Sequence, residues 1–318
     1  MTSQSHVTAV VVTFNRSGTL ALCLEALRCQ TRRPDTVLIV DNASVDDTAE
    51  VIASAVARDG FLKVEVLALK ENTGGAGGFD AGMRRALELN CDWVWTMDDD
   101  VAPDANCLEI LLDHTGVSEC VHPQRFNVDG SPQAWEPVVS VATGTSTFLD
   151  NLSFSNGKEV TFTNVACFEG ALVSRRIIEL VGFPDPSFFV VGDDTVFGLK
   201  ASVHTNVAIA RDAHMRRLLP ITSFAPWKVY YLTRNAFMVR SQACAYLAVT
   251  PTRVQRIVFV LNLVLETSRH ARRGPTFIGP VLRGFRDGIA YSHGYSARPT
   301  RGLGRQCAAD AADRASRS

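Results

Sequence analysis

Four apolar segments, each running straight into polar residues, constrain this chain more than any other feature. Val7 to Val12 is an unbroken apolar and β-branched run, as expected of a strand buried on both faces. Val37 to Val40, Val64 to Ala68 and Trp93 to Thr96 read as further strands. Between them lie helical patterns: Thr19 to Leu27, then a segment through Val51, Ile52 and Val56 with Ser44 and Asp46 as N-caps, then one through Met83 and Leu87. Strands alternating with helices in this way predict an α/β fold with a mostly parallel, Rossmann-like sheet covered by helices.

Ligands of such sheets bind beyond the carboxyl ends of the strands. The unusual polar residues fall there: Thr13-Phe14-Asn15-Arg16, Asp41-Asn42, Asn72 with its glycines, and Asp98-Asp99-Asp100. Alternate carboxylates of the Asp triplet can point to one side and hold one hard cation, Mg²⁺ or Mn²⁺, whose other ligands come from water and substrate phosphates. A solvated acidic loop, capping a helix that starts near Asp104, is the plainer alternative. Position at a parallel strand end favours the metal.

Asn72 to Phe79 carries four glycines in five positions and opens a helix. Such a turn brings backbone N–H groups close to a ligand, at the helix end that attracts phosphate. It is not a dinucleotide fingerprint, because Asp80 stands where the third glycine would be, and no Gly-Lys-Ser/Thr follows to make a P-loop.

Farther on, residues 126–157 are rich in turn formers. Ala171 to Val173 reads as a strand and Arg175 to Val181 as a helix. Asp193-Asp194 follows Phe188-Phe189 and enters a helix, so one carboxylate can take a proton from a hydroxyl while the other orients it or caps the helix. His214 follows a strand over Val207 to Ala210; His204 and His122 stand in no comparable motif.

The 318 residues, 46% hydrophobic and 20% charged, can bury a sizeable core. Net charge is −1, yet from Pro251 onward twelve Arg face four acids, a balance of +8 that leaves −9 for the first 250 residues. A basic, helical tail from Pro226 to about Tyr291 suits contact with an anionic membrane surface. Its apolar run Ile257 to Leu265 is too short to span a bilayer, and the flanking Arg253, Arg256, Arg269, Arg272 and Arg273 suit a helix lying on one. No feature calls for nucleic acid. The polar Met1 to His6 does not read as a signal peptide, and eight Cys without a C-x-x-C pair read as reduced thiols. The expected location is the cytoplasm, peripheral at the inner face of the membrane. The expected organisation is a catalytic domain over 1–225, a helical region over 226–297 and a flexible tail over 298–318. The oligomeric state is not readable.

Laid end to end, the pieces resemble the inverting GT-A glycosyltransferases of glycosyltransferase family 2. The match runs through residues 10–16, Gln30 to Pro34, Val40 to Ser44, Asn72 to Phe79, Trp93 to Asp100, Phe168 to Ala171 and Phe188 to Gly198. Within the family, the glycine turn and Trp93 to Asp100 look like bacterial galactofuranosyltransferases, which use UDP-galactofuranose. The resemblance implies that Thr13, Asn15, Arg16 and Asp41 hold the uridine. It places Asn72, Gly74, Gly75, Asp98 and Asp99 at the donor, and Glu169 and Gly170 at the acceptor. It assigns Asp98, Asp100 and His214 to Mn²⁺ or Mg²⁺ and makes Asp194 the base, with Asp193 beside it. Polymerising members have an aromatic residue just before the acidic pair and additional domains. Gly192 stands at that position here, which favours the addition of one or a few sugars, of the galactan-initiating type, to a lipid-linked saccharide acceptor.

Three rivals share parts of this pattern. A rhamnosyltransferase using dTDP-rhamnose would share nearly all the motifs. A nucleotidyltransferase would need a basic glycine-rich loop directly after the first strand, and Thr13 to Arg16 is not one. A non-catalytic nucleotide-sugar binding module would have no use for Asp193-Asp194 as a base.

Overall fold

A computed structural model describes residues 5–57, 63–133, 137–148, 159–220 and 225–294. The first half is β1 (Val7–Thr13), α1 (Ser17–Arg28), β2 (Thr36–Asp41), α2 (Thr48–Ala57), β3 (Val64–Ala68), α3 (Gly74–Glu88) and β4 (Trp93–Asp98). These four strands lie parallel in the order β3-β2-β1-β4. Side chains alternate along β1: Val7, Ala9 and Val11 pack toward Leu20, Leu24 and Leu27 of α1, whereas Val10 and Val12 pack toward Phe79 and Met83 of α3. Burial on both faces is why the run carries no polar alternation.

The sheet continues through β5 (Val101–Pro103), β6 (Cys120–Phe126), β9 (Val160–Thr163), β10 (Leu172–Ser174) and β11 (Val207–Arg217), after a separate hairpin of β7 (Pro137–Val139) and β8 (Ser146–Phe148). β10 is inserted antiparallel between β4 and β6, β11 runs parallel to β6, and β5 and β9 flank β11 antiparallel. The sheet is therefore parallel on the side of β1 to β4 and mixed beyond it. Helices α4 (Cys107–Asp113), α5 (Arg175–Val181) and α6 (Asp193–Ala201) join these strands. The chain ends in α7 (Pro226–Tyr246), α8 (Arg253–Ala271) and α9 (Ile278–Ser292). The tail expected over 298–318 lies outside the described residues.

Three local expectations are corrected. The glycine turn is not a loop before a helix: Gly74 to Gly78 are its first residues, since glycine lets α3 lie against the sheet. A Cβ on Gly78 would stand 2.4 Å from Val12 Cγ1. The helix expected near Asp104 begins at Cys107, because Val101–Pro103 pairs with β11 first. The strand expected to end at Ala210 runs on to Arg217 through an irregularity between Ala210 and His214, which places His214 inside it.

A Cβ on Gly82 would meet Val10 Cγ1 at 2.5 Å and Val40 Cγ2 at 3.0 Å, whereas one on Gly75 would meet nothing within 4 Å. Gly82→Ala is expected to cost about 1–3 kcal/mol through overpacking. Gly75→Ala should leave stability unchanged or raise it by up to about 1 kcal/mol through helix propensity. Urea unfolding of both variants checks the contrast.

Candidate active site

The carboxyl ends of β1 and β4 are joined by a buried acid. Asp99 accepts hydrogen bonds from the Thr13 hydroxyl (2.7 Å), the Phe14 N–H (3.2 Å) and the Arg16 guanidinium (3.1 Å). Burial pushes its carboxyl up to about 6, and Arg16 opposes that shift. Arg16 also donates to Asp100 at 2.6 Å. Burial works against the Arg16 charge, but Asp99, Asp100 and Asp98 outweigh it and hold the guanidinium protonated. Asp99 and Thr13, both expected at the donor, are thus turned inward. They shape the loop that carries Asn15 and Arg16.

Asp98 lies among like charges. Burial, followed by Asp100, Glu169 and Asp99, pushes its carboxyl well above the ordinary range, and Arg16 pulls the other way. Glu169 is itself held between Arg125 (2.7 Å) and Arg217. A cluster of hard oxygen donors short of positive charge suits Mg²⁺ or Mn²⁺, so the residues fit the expected cation through Asp98 and Asp100. The structure does not bring His214 to them. Strand pairing sets Leu218 on Asp100 and His214 on Asp104. Four residues separate these positions, roughly 13 Å along a strand. The His214 ring instead sits 3.3 Å from Asp104 and packs edge-on against Phe126. Among the described residues, no three His, Cys, Asp or Glu side chains converge as a metal-holding group. His122 belongs to the core: burial pushes it down to about 3.

The ends of β1 and β2 are cross-tied. Asn15, with φ 51°, accepts the Val45 N–H at 2.8 Å, its own N–H donates to Ser44, and Asp41 accepts the Ser44 N–H at 2.9 Å. Asn42, one of the polar residues at the end of β2, is buried and holds the glycine turn. Its Nδ2 donates to the Gly74 carbonyl (2.8 Å) and its Oδ1 accepts the Thr73 N–H (2.8 Å). Asn72 accepts the Gly74 N–H at 2.8 Å, an Asx-type bond that sets the turn with Gly74 at φ 74°. Gly75 remains half-exposed at the start of α3.

The two acids of α6 differ in setting. Asp193 is buried beside Phe183, Pro184, Phe188 and Phe197, and burial pushes it up to about 6. Asp194 is half-exposed on the first turn and accepts the Thr195 N–H at 2.7 Å. The loop before them touches the glycine turn: the Ala76 N–H donates to the Phe189 carbonyl at 3.2 Å, and Gly74 lies so close that a Cβ there would stand 2.0 Å from the same oxygen. Gly170, expected at the acceptor, is buried instead. Its carbonyl accepts the Trp95 indole N–H at 3.0 Å, and with φ 114° a Cβ would strike Pro123 and Met215.

The strand-end acids, the glycine turn at the start of α3 and the loop that leads into Asp193-Asp194 and touches that turn make up the candidate site. The family model for glycosyl transferase family 2 matches residues 8–179. The chain belongs to glycosyltransferase family 2. Among curated family 2 relatives, galactofuranosyltransferase GlfT1 of Mycolicibacterium smegmatis is 34% identical over 199 residues, covering 61% of this chain and 64% of that one. The chain thus spans slightly less than two thirds of that relative. Of solved structures, GalNAc-T7 with UDP, GalNAc and Mn²⁺ superposes with a TM-score of 0.56 at 11% identity, over 84% of this chain and 55% of that one. The mannosyltransferase PcManGT of Pyrobaculum calidifontis, with GDP-Man and Mn²⁺, gives 0.53 at 16% identity, over 91% and 88%. These likenesses show the fold, the GT-A arrangement of a family 2 chain.

Because burial raises the Asp193 pKa from about 4 to about 6, the folded state binds the proton more tightly than the unfolded chain does. Stability contributed by the protonated acid is lost as pH rises from about 4 to about 6. Asp193→Asn should therefore gain stability over wild type as pH rises through that window, read as a Tm difference larger at pH 8 than at pH 4.

Proposed function

We propose that this protein is an inverting galactofuranosyltransferase that moves galactofuranose from UDP-galactofuranose to a hydroxyl of a lipid-linked saccharide in surface polysaccharide synthesis. The observation that carries the reading is a half-exposed Asp194 in the first turn of α6, directly after a loop in contact with the glycine turn, together with Asp98 and Asp100 at the strand end. Similarity to GlfT1 supports the choice of sugar.

The Asn15–Ser44 and Asp41–Ser44 ties form a floor for the uridine, and Arg16 stands between that floor and the acids. The start of α3, shaped by Asn72, Gly74 and Gly75, offers the positive end of a helix to the diphosphate. Asp98 and Asp100 would hold Mn²⁺ or Mg²⁺, which supplies positive charge to offset that developing on the departing diphosphate. Asp194 takes the proton of the acceptor hydroxyl as its oxygen bonds to the anomeric carbon. The bond from that carbon to UDP breaks, UDP keeps the electron pair, and the configuration inverts. Asp193 is buried away from this face, so it supports the loop and Asp194 acts as the base. Glu169, bridging Arg125 and Arg217 near Asp98, borders the acceptor side.

The acceptor is met at a membrane. Phe259, Leu263 and Thr267 of α8 face inward, and the opposite face exposes Val254, Ile257, Leu261, Val264 and Leu265. Arg253, Arg256 and Arg269 lie on the same helix, so an apolar stripe with basic residues suits an anionic bilayer surface. No described helix is long and apolar enough to cross a membrane.

With Mn²⁺ present, UDP release from UDP-galactofuranose should exceed that from UDP-galactopyranose, UDP-glucose and dTDP-rhamnose. Asp194→Asn should lower kcat by about 10²–10⁴-fold with UDP affinity retained. Turnover of dTDP-rhamnose alone, or a fully active Asp194→Asn, would overturn the respective part. Separately, Ile257→Glu with Leu261→Glu should weaken binding to anionic vesicles by about tenfold or more. Vesicle binding equal to wild type would remove the membrane contact.

A further inference from the structure

The loop that delivers Asp194 is held in a conformation that its own residues disfavour. Phe189 has φ 64°, Val191 φ 66° and Gly192 φ 98°, so three of four successive residues lie in the left-handed region. Only the glycine adopts it freely; for Phe and for β-branched Val it is strained. Strain of this kind persists where surrounding structure over-determines it, and it collects at functional sites.

What over-determines it is α7. Asn235 is buried, and its Nδ2 reaches three carbonyls of the loop: Phe188 at 3.1 Å, Val190 at 2.7 Å and Val191 at 2.7 Å. Arg234, fully buried, donates through Nη2 to the Ser187 carbonyl (2.6 Å) and the Phe188 carbonyl (3.0 Å). Its Nε donates to Asn235 Oδ1 at 2.8 Å, which fixes the orientation of the amide. The guanidinium lies over the Tyr231 ring at 4.8 Å, and Tyr231 stacks on Phe189 with centroids 5.1 Å apart. On its other side the loop meets the glycine turn through the Phe189 carbonyl.

We propose that Asn235, oriented by Arg234, is a positioning residue for the transfer reaction. It clamps the strained Phe189–Gly192 loop so that Asp194 emerges at the glycine turn. Neither residue reaches the substrate. They act by fixing the carbonyls of Ser187, Phe188, Val190 and Val191 in a loop whose relaxed conformation would carry the start of α6, and the base with it, away from the donor. This inference rests on the reading of Asp194 as the base. Misplacement of a reacting group by about 1 Å costs on the order of a hundredfold in rate, so a clamp matters for turnover more than for binding.

The test compares variants for kcat, donor KM, UDP affinity and Tm. Asn235→Ala should lower kcat by about 10- to 100-fold with UDP affinity unchanged. Adding Val191→Gly should restore much of that loss, because glycine takes the positive φ without strain and needs no clamp. Val191 is exposed, so Val191→Pro meets no core side chain, and it forces φ negative; with its Tm checked to confirm folding, it should lower kcat with UDP affinity retained. Wild-type kcat in Asn235→Ala or in Val191→Pro would overturn the proposal. So would equal losses of kcat and UDP affinity without rescue by Val191→Gly, the signature of a residue needed only for packing. Asp194→Asn, run alongside, separates the failures: if it stays active the base reading falls, and if it is inactive while Asn235→Ala is unimpaired, only the clamp falls.

Discussion

The site depends first on a carboxylate removed from water. Asp99 has no room to be solvated and is compensated by donors from another strand end: a hydroxyl, a backbone N–H and a guanidinium. A buried acid left without such partners is costly, so the loop after β1 is obliged to fold back onto β4. Arg16, drawn in by that requirement, then lies against Asp100, and the cluster of Asp98, Asp100 and Glu169 takes shape around it. One buried charge thereby sets the position of the loop after β1 relative to the acids at the end of β4.

A second set of buried amides does the same for the remaining parts. Asn42 ties the end of β2 to the start of α3, and Asn235 ties α7 to the loop before α6. Amides suit both positions because each combines a donor and an acceptor, and so can satisfy peptide groups of either sense without bringing a charge into the interior. The two ties meet where the Phe189 carbonyl accepts from Ala76. The glycine turn and the loop before α6 are therefore one connected piece of structure, and α7, from the basic C-terminal part of the chain, belongs to it.

Much of the fold is legible in the sequence where a single local cause acts. β1, β2 and β4 are largely apolar because helices cover both faces, whereas the edge strand β3 carries Glu65 and is only partly buried, and α5 and α6 begin where a serine cap and an acid pair stand. The start of α3 was harder to read. Its glycines look like loop residues, yet Gly78 serves close packing of helix on sheet and Gly74 the close approach of the Phe189 loop, which propensity does not register. His214 is a similar case. Residue type and order suggest a ligand, but the register of β11 against β5 decides its neighbours, and register follows from long-range pairing. Asn42 is legible as a strand-end polar residue but not as the tie to α3, and Arg234 and Asn235 carry no local signal beyond being polar residues in a largely apolar helix.

The sequence by itself determined the alternation of strands and helices, the edge of the sheet where chemistry gathers, and the acids available there. Those follow from periodicity and from residue type at strand ends, causes that act within a few residues. Tertiary structure alone decided which acids face the site. Asp99 and Asp193 are interior, Asp100 and Asp194 are less deeply buried, and the members of each pair are neighbours of identical chemistry. Their difference comes from what lies across from them, Thr13 and Arg16 in one case and Phe188 and Phe197 in the other, and those partners are brought there by packing between distant segments.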